Sequence, residues 1–275
     1  MADERVCILG VPIDVVTTDG MLARVAAFIA GDRVHQICTV NPEFVMAAQR
    51  DADFMAVLNH ADLCLPDGVG ILWAARRQGK PLRERVAGVD SVVRIAGRAT
   101  ETGWRLYLLG AAPGIAEQTA TILAGRYPGV QIAGTYAGSP APEDEADIVA
   151  RVNASGADVL FVAYGAPKQD KWIARNGPHL KVHVAMGVGG AFDFITGTAR
   201  RAPRWIRRIG LEWLHRLIRE PWRWRRQLAL ARFAWAVIHE PSQRGSTKWQ
   251  IYSISRTGRQ ASAQRRTSPR GRTSS

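Results

Sequence analysis

The chain has 275 residues, 47% hydrophobic and 22% charged, which excludes collagenous, disulfide-scaffold and wholly disordered proteins and leaves one large α/β domain or two small ones. Its net charge of +13 is uneven: residues 1–199 carry 18 Lys/Arg against 21 Asp/Glu, and residues 200–275 carry 19 against 3. A near-neutral body therefore bears a strongly basic C-terminal quarter, and the question of an acidic partner belongs to that quarter.

The start, Met1-Ala2-Asp3-Glu4, is acidic and precedes only a short apolar stretch, so no secretory signal is expected. Strands are predicted at Val6–Val11, His35–Val40, Ala61–Leu65, Trp104–Leu109, Val130–Tyr136, Asp158–Ala163 and Lys181–Met186. Helical apolar spacing fills the gaps, most clearly from Ile115 to Tyr127 and from Glu143 to Asn153. This alternation argues for an α/β fold, a Rossmann-like, mainly parallel sheet with helices on both faces. From Arg200 the texture changes: ten Lys/Arg lie between Arg200 and Arg226 against Glu212 and Glu220. Two helices separated by Pro221 fit this stretch. Beyond Pro241 the chain is rich in Ser, Thr, Arg, Gln and Gly without acidic residues, which reads as a disordered basic tail. The expected organisation is an α/β catalytic domain over 1–199, a basic helical appendage over 200–240 and the tail over 241–275.

No segment reaches the roughly 18 apolar residues of a spanning helix. The nearest, Leu228 to Ile238, is interrupted by Arg232, so any membrane contact is expected to be peripheral. Cys7, Cys38 and Cys64 fit no zinc or CxxC spacing and read as free, buried thiols of a reducing cytosol.

Ligands of parallel sheets bind at the carboxyl ends of the strands. The segments there are polar and glycine-rich: Asn41-Pro42-Glu43, Pro66-Asp67-Gly68-Val69-Gly70, Gly110 to Gly114, Tyr164 to Asp170 and Gly187 to Asp193. Each alone could be a plain turn; five on one sheet edge point to a site. Asp67 is the foremost candidate for a reacting group. A carboxylate there can take a proton from an attacking hydroxyl, and Gly68 and Gly70 let a ligand approach the backbone. The competing reading is an N-cap for a helix starting near Val69. Thr39 and Asn41 offer hydrogen-bonding side chains beside Asp67 if their strands are neighbours, with Asn41-Pro42 as a helix start the alternative. The loop Gly165-Ala166-Pro167-Lys168-Gln169 presents backbone N–H groups, an amide and a cation, suited to a nucleotide or sugar. Asp90 either caps a helix or binds a sugar hydroxyl.

The six histidines form no HExxH motif or close carboxylate cluster, so no metal is expected. GxSxG and P-loop motifs are missing, which argues against a serine hydrolase and an ATPase. The Gly110 loop lacks the dinucleotide fingerprint, making an oxidoreductase a poor reading. The arginine-rich stretch has three readings: a solvated helix face, a nucleic-acid arm, or a helix pair on an anionic membrane. In the third, Trp205, Trp213, Trp222, Trp224 and Trp235 sit at the interface and arginines meet headgroups.

In order, Thr39-Val40-Asn41, Leu65 to Gly70, Arg85-Val86-Ala87-Gly88-Val89-Asp90, Leu109-Gly110 with Pro113-Gly114, Tyr127-Pro128-Gly129, Gly165 to Gln169, Gly187 to Phe194, Arg201-Ala202-Pro203 and Gly210-Leu211-Glu212-Trp213 through Arg216 to Glu220-Pro221 resemble the WecG/TagA/CpsF family of bacterial glycosyltransferases (glycosyltransferase family 26). The resemblance covers roughly four-fifths of the chain, Val6 to Arg226. It implies an inverting transfer of a hexosyl group, N-acetylmannosamine-type or related, from a UDP-sugar to a polyprenyl-diphosphate-linked sugar. The expected place is the inner face of the cytoplasmic membrane, in cell-surface polysaccharide or teichoic-acid-type glycan synthesis, without metal or other cofactor. Asp67 matches the family's proposed catalytic base and Thr39 a residue needed beside it. Asn41, Gly68, Arg85, Asp90, Gly165, Gln169, Gly187 and Asp193 are the expected substrate-binding residues. Arg216, Arg223 and Arg226 match arginines of a C-terminal appendage thought to complete the site and touch diphosphate and membrane. Other readings are UDP-glucose-type transfer for exopolysaccharide and, in another class, a nucleotide-binding module with a nucleic-acid arm. Nucleic acid is not expected as a partner under the transferase reading. A homo-oligomer stays open, because the basic helices can dock on a neighbouring subunit as well as on lipid.

Overall fold

The computed structural model describes residues 4–199, 202, 203, 206, 214, 217 and 224–240, and the fold is that of the compact unit Met1–Glu240. The expected tail over 241–275, and most of the appendage before Trp224, lie outside the described residues.

The sheet is parallel, six-stranded and in the order β4-β3-β8-β7-β5-β6. Its strands are β3 (His35–Val40), β4 (Leu63–Pro66), β5 (Arg105–Gly110), β6 (Gln131–Tyr136), β7 (Val159–Ala163) and β8 (Val184–Gly187). The central strands are continuous apolar runs because both faces are covered. On one face Ile37, Leu63, Leu65, Leu106, Leu108, Phe161 and Met186 pack against α1 (Thr18–Ile29), α5 (Gly88–Thr102), α6 (Ile115–Arg126) and α9 (Ala191–Thr196). On the other, Cys38, Val40 and Cys64 meet α2 (Pro42–Ala48), α3 (Ala52–His60) and α4 (Val69–Arg77). Leu109, Leu160, Val162 and Ala185 meet α7 (Glu145–Ser155) and α8 (Lys168–Asn176) on that same side. Each fully buried aliphatic or aromatic side chain in these layers contributes about 1.5–3 kcal/mol. This is the Rossmann-like arrangement expected, with helices on both faces.

The start of the chain differs from expectation. The apolar run Val6–Val11 is not one strand of the large sheet. It splits into β1 (Arg5–Ile8) and β2 (Val11–Asp14), a separate antiparallel hairpin. The turn is Leu9-Gly10, both at positive φ (49° and 81°), the backbone that a two-residue hairpin turn requires. Asp14, buried at its end, pairs with Arg5 at 2.9 Å and accepts from the Cys64 amide at 2.6 Å, fastening the hairpin beside β4.

The last described helix, α10 (Trp224–His239), lies across α2 and α4. Phe233 and Val237 are buried there, and a Cβ on Gly70 of α4 would lie 3.6 Å from the Phe233 ring. Glu240 anchors the helix end by accepting from the Leu9 amide at 3.2 Å and from Gln78 Nε2 at 3.1 Å. No helix among the described residues is long and apolar enough to cross a membrane.

Candidate active site

The strand order brings the predicted loops together. β4, β3, β8 and β7 are four consecutive neighbours, and their carboxyl ends carry Asp67, Thr39 with Asn41, Gly187, and Gly165 with Gln169. The β3–β4 register sets Thr39 opposite Leu65 and Val40 opposite Pro66. The Asp67 amide then donates to the Val40 carbonyl at 2.8 Å, seating Asp67 beside the end of β3. Gly187 is the register partner of both Cys38 and Val162. Thr39, buried, donates from Oγ1 to the Gly187 carbonyl at 3.1 Å.

Asp67 does not cap the helix that follows it. The cap position of α4 is Gly68, at φ 102° and ψ 144°, with no side-chain cap bond. That backbone conformation is essentially restricted to glycine, and it frees the Asp67 side chain to turn elsewhere. Its Oδ2 accepts from the Gly88 amide at 3.3 Å. Gly88 is the first residue of α5, so the carboxylate sits at the positive end of that helix. The segment before Gly88 is drawn in by the Val86 amide, which donates to the Pro66 carbonyl at 2.9 Å. This places half-buried Arg85 alongside the end of β4. Glu84 accepts from the Thr18 amide at the start of α1, holding the same segment from the other side. A Cβ on Gly88 would lie 3.2 Å from Thr39 Cγ2, so α5 approaches β3 closely at this point. Asp90 lies inside the first turn of α5, whose cap position is Ala87. Asn41 takes the helix-start alternative: its Oδ1 accepts from the Phe44 amide at 3.1 Å and caps α2.

On the β7–β8 side, Gln169 ties two loops together. Its Oε1 accepts from the Gly165 amide at 3.0 Å and from the Gly189 amide at 2.9 Å. Gln169 is fully buried, so its side chain faces the loops and not the open edge of the sheet. Gly165, at φ 78°, has open space where a side chain would project. Asp193 lies half-buried in the first turn of α9, its carbonyl accepting from the Ala199 amide at 2.9 Å. A Cβ on Gly187 would meet both Asp170 Oδ1 and Gln169 Nε2 at 2.7 Å. Gly187→Ala is therefore expected to destabilise the fold by about 1–3 kcal/mol through overpacking, read by chemical denaturation.

Arg216 and Arg223 lie outside the described residues. Arg226 is in α10, with its side chain outside them. The described residues contain no group of three His, Cys, Asp or Glu that could hold a metal ion.

Comparison with known proteins places this arrangement. The WecG/TagA/CpsF glycosyl transferase family matches residues 6–247, which span every loop of the site. The chain belongs to that family. It is 37% identical over 205 residues to the N-acetylglucosaminyldiphosphoundecaprenol N-acetyl-beta-D-mannosaminyltransferase of Bacillus subtilis (strain 168), covering 74% of this chain and 79% of that one. The protein of the same name from Staphylococcus aureus (strain MRSA252) is 32% identical over 216 residues, 78% of this chain and 84% of the relative.

This WecG/TagA/CpsF glycosyltransferase has one buried group at the site edge that sequence reasoning passed over. Asp170 follows Gln169 in the first turn of α8, is fully buried, and neither carboxyl oxygen has a well-formed hydrogen bond among the described residues. Burial pushes its carboxyl up to about 7, moderated by the Cys38 thiol and the Gln169 amide. The neighbouring Cys38 thiol is pushed well up in turn, first by its hydrogen bond with Cys64 and then by burial. Its only sequence signal was an acid directly after the Gly165–Gln169 loop, the usual place for a solvated helix-start carboxylate.

α10 of this family member presents a second, outer face. Leu228, Trp235 and Ile238 are exposed there (41%, 65% and 49%), interleaved with exposed Arg232. On α4, one turn beyond Asp67, Val69 and Trp73 are exposed as well.

Proposed function

We propose that this glycosyltransferase moves a hexosyl group of the N-acetylmannosamine type from a UDP-sugar to a polyprenyl-diphosphate-linked N-acetylglucosamine, with inversion at the anomeric carbon. The observation that carries the reading is the seat of Asp67: at the carboxyl edge of the sheet, beside Thr39 and with one oxygen on the Gly88 amide. The relatives' printed names, with their diphosphoundecaprenol acceptor and mannosaminyl product, support the choice of acceptor and sugar.

In this reading Asp67 takes the proton of the acceptor hydroxyl as that oxygen attacks the anomeric carbon from the face opposite the departing UDP. The Gly88 amide holds one carboxyl oxygen and so restricts the direction in which the carboxylate meets the acceptor. Thr39 keeps β3 and β8 in step through Gly187 and sets the wall beside the base. The loops after β7 and β8, joined by Gln169, receive the nucleotide. UDP leaves with growing negative charge, which needs fixed donors and cations. Arg85 stands on the site side of the sheet, and Arg216, Arg223 and Arg226 are proposed to supply the rest.

The lipid-linked acceptor implies a surface on which to work. The outer face of α10 has the composition of an interfacial helix: Trp235, Leu228 and Ile238 to enter the headgroup boundary and Arg232 to meet anionic lipid. Peripheral attachment at the inner face of the cytoplasmic membrane is proposed on this ground. The test is a transfer assay with a short-chain prenyl-diphosphate-N-acetylglucosamine acceptor and a panel of UDP-sugars, with and without EDTA. UDP release with one donor, unaffected by EDTA, is expected. Folded protein that stays silent with every donor, and with a prenyl-diphosphate-glucose acceptor too, would sink the reading in favour of a nucleotide-binding module.

A further inference from the structure

Gln169 has to face one way. Its Oε1 accepts from the two loop amides of Gly165 and Gly189, so its Nε2 points back beneath the loops, where it is buried without a hydrogen-bond partner of good geometry. A flipped amide would leave two loop N–H groups facing an N–H₂ group, and buried donors without acceptors are expensive. The buried Nε2 in turn calls for an acceptor beneath the loops. The side chains of Gln169 and Asp170 converge on the bare α-carbon of Gly187, where a single Cβ would stand 2.7 Å from both Gln169 Nε2 and Asp170 Oδ1. Asp170 Oδ1 is thus an acceptor close to the buried amide.

We propose that Asp170 is a positioning residue: its buried carboxyl fixes the direction of the Gln169 amide and, through it, the two glycine loops that receive the nucleotide. The assignment of those loops to the nucleotide rests on the function proposed above; the fixing of Gln169 does not. Asp170 has uncharged neighbours on three strands, while α3, also packed on α8, is capped by Asp51 and carries Asp53 in its first turn, both beside Lys171. β3 presents Cys38, with Cys64 beyond it on β4; β7 offers the apolar run Val159–Ala163; and β8 offers Val184–Gly187. The groups that act on the carboxyl are the Cys38 thiol, the Gln169 amide and its own backbone N–H. The nearest cation along α8, Lys171, is held on Asp51 at 2.7 Å. Gln36 Nε2 donates to the Asp170 main-chain carbonyl at 2.9 Å and anchors that turn to β3. The neutral carboxyl can accept from Gln169 without burying a charge. The ionised form places an unpaired charge in an apolar enclosure, and the first turn of α8 then has to move or admit water. The loops are therefore expected to loosen as pH rises through about 7, the value to which burial carries the carboxyl.

The experiment is amide hydrogen exchange on the full chain, following Gly165 and Gly189 from pH 6 to 9 after correction for intrinsic rates. The Leu108 amide of β5 reports that the sheet is intact. Protection of the two glycine amides is expected to fall in the wild type above about pH 7 and to stay level in Asp170→Asn, which keeps an acceptor and cannot ionise. In Asp170→Leu it is expected to be about tenfold lower at every pH, the size of one lost hydrogen bond. If Asp170→Leu does not fold, the pH profiles of the wild type and Asp170→Asn decide. The same profile in both, or a folded Asp170→Leu with wild-type protection, overturns the proposal. Calorimetry with UDP on the same samples separates the two readings: the expected exchange pattern in protein that binds no UDP upholds the positioning role and removes the nucleotide from these loops.

Discussion

Asp67→Asn is expected to lower glycosyl transfer by about 10²- to 10⁴-fold, the range for loss of a positioned general base, while UDP binding and the fold persist. Asn is nearly isosteric, and its carbonyl oxygen can still accept from the Gly88 amide, which Asp67 Oδ2 does at 3.3 Å. The bond to Gly88 is therefore retained while the capacity to take a proton is lost. The unfolding midpoint should move little, because the side chain is only half-buried and the Gly88 amide keeps its acceptor. Two assays side by side check this: UDP release with the prenyl-linked acceptor, and calorimetric titration with UDP. A variant that retains more than about a tenth of the wild-type rate would remove Asp67 from the role of base and leave it as an anchor for α5.

The same residue shows what the chain reveals before it is folded. The five polar loops and their place after apolar strands were legible, because strand and turn chemistry are local. Which strands are neighbours was not, since parallel order depends on how helices pack over both faces. Only the order β4-β3-β8-β7 turns Thr39, Asp67, Gly187 and Gln169 into one site. The choice between base and helix cap for Asp67 was likewise open. It turns on Gly68 adopting φ 102° and on Gly88 arriving 21 residues later in sequence. The hairpin at Leu9-Gly10 was misread as one strand for a different reason. Its apolar residues continue on both sides of the turn, so hydrophobicity alone gives no break, and Gly10 was the only local mark.

Gln169 and Asp170 mark the furthest reach of local reading. Adjacent polar residues at a helix start look solvent-facing, and a loop with a cation and an amide looks built to touch a ligand. Here α8 lies with this turn pressed against β3, β7 and β8, and both side chains go inward. That outcome depends on Gly187 having no side chain, at a distance of 18 residues from Gln169. Burial of a carboxyl is a property of the assembled layers and has no signature in a short window of sequence.

Its consequence for stability can be worked out with a sign. An unfolded Asp titrates near its ordinary value of about 3.9, whereas burial carries Asp170 up to about 7. Below pH 4 both states hold the proton and Asp170 costs nothing by titration. Between about 4 and 7 the unfolded chain ionises while the native one does not, so stability falls by up to about 1.4 kcal/mol per pH unit. Above about 7 both are ionised and the deficit stays constant, at a ceiling of about 4 kcal/mol for a gap of about three units. Asp170→Asn removes this titration and keeps an acceptor for Gln169, but its own amide N–H₂ has to be housed in the same enclosure. A net gain of about 1–3 kcal/mol at pH 8, shrinking towards zero or below at pH 4.5, is the expected balance. Urea unfolding of wild type and variant at pH 4.5, 6 and 8 measures it. A difference that does not change with pH would mean that Asp170 ionises in the folded protein as readily as in the unfolded chain. The enclosure around Cys38, Gln169 and Gly187 would then have to be open to water.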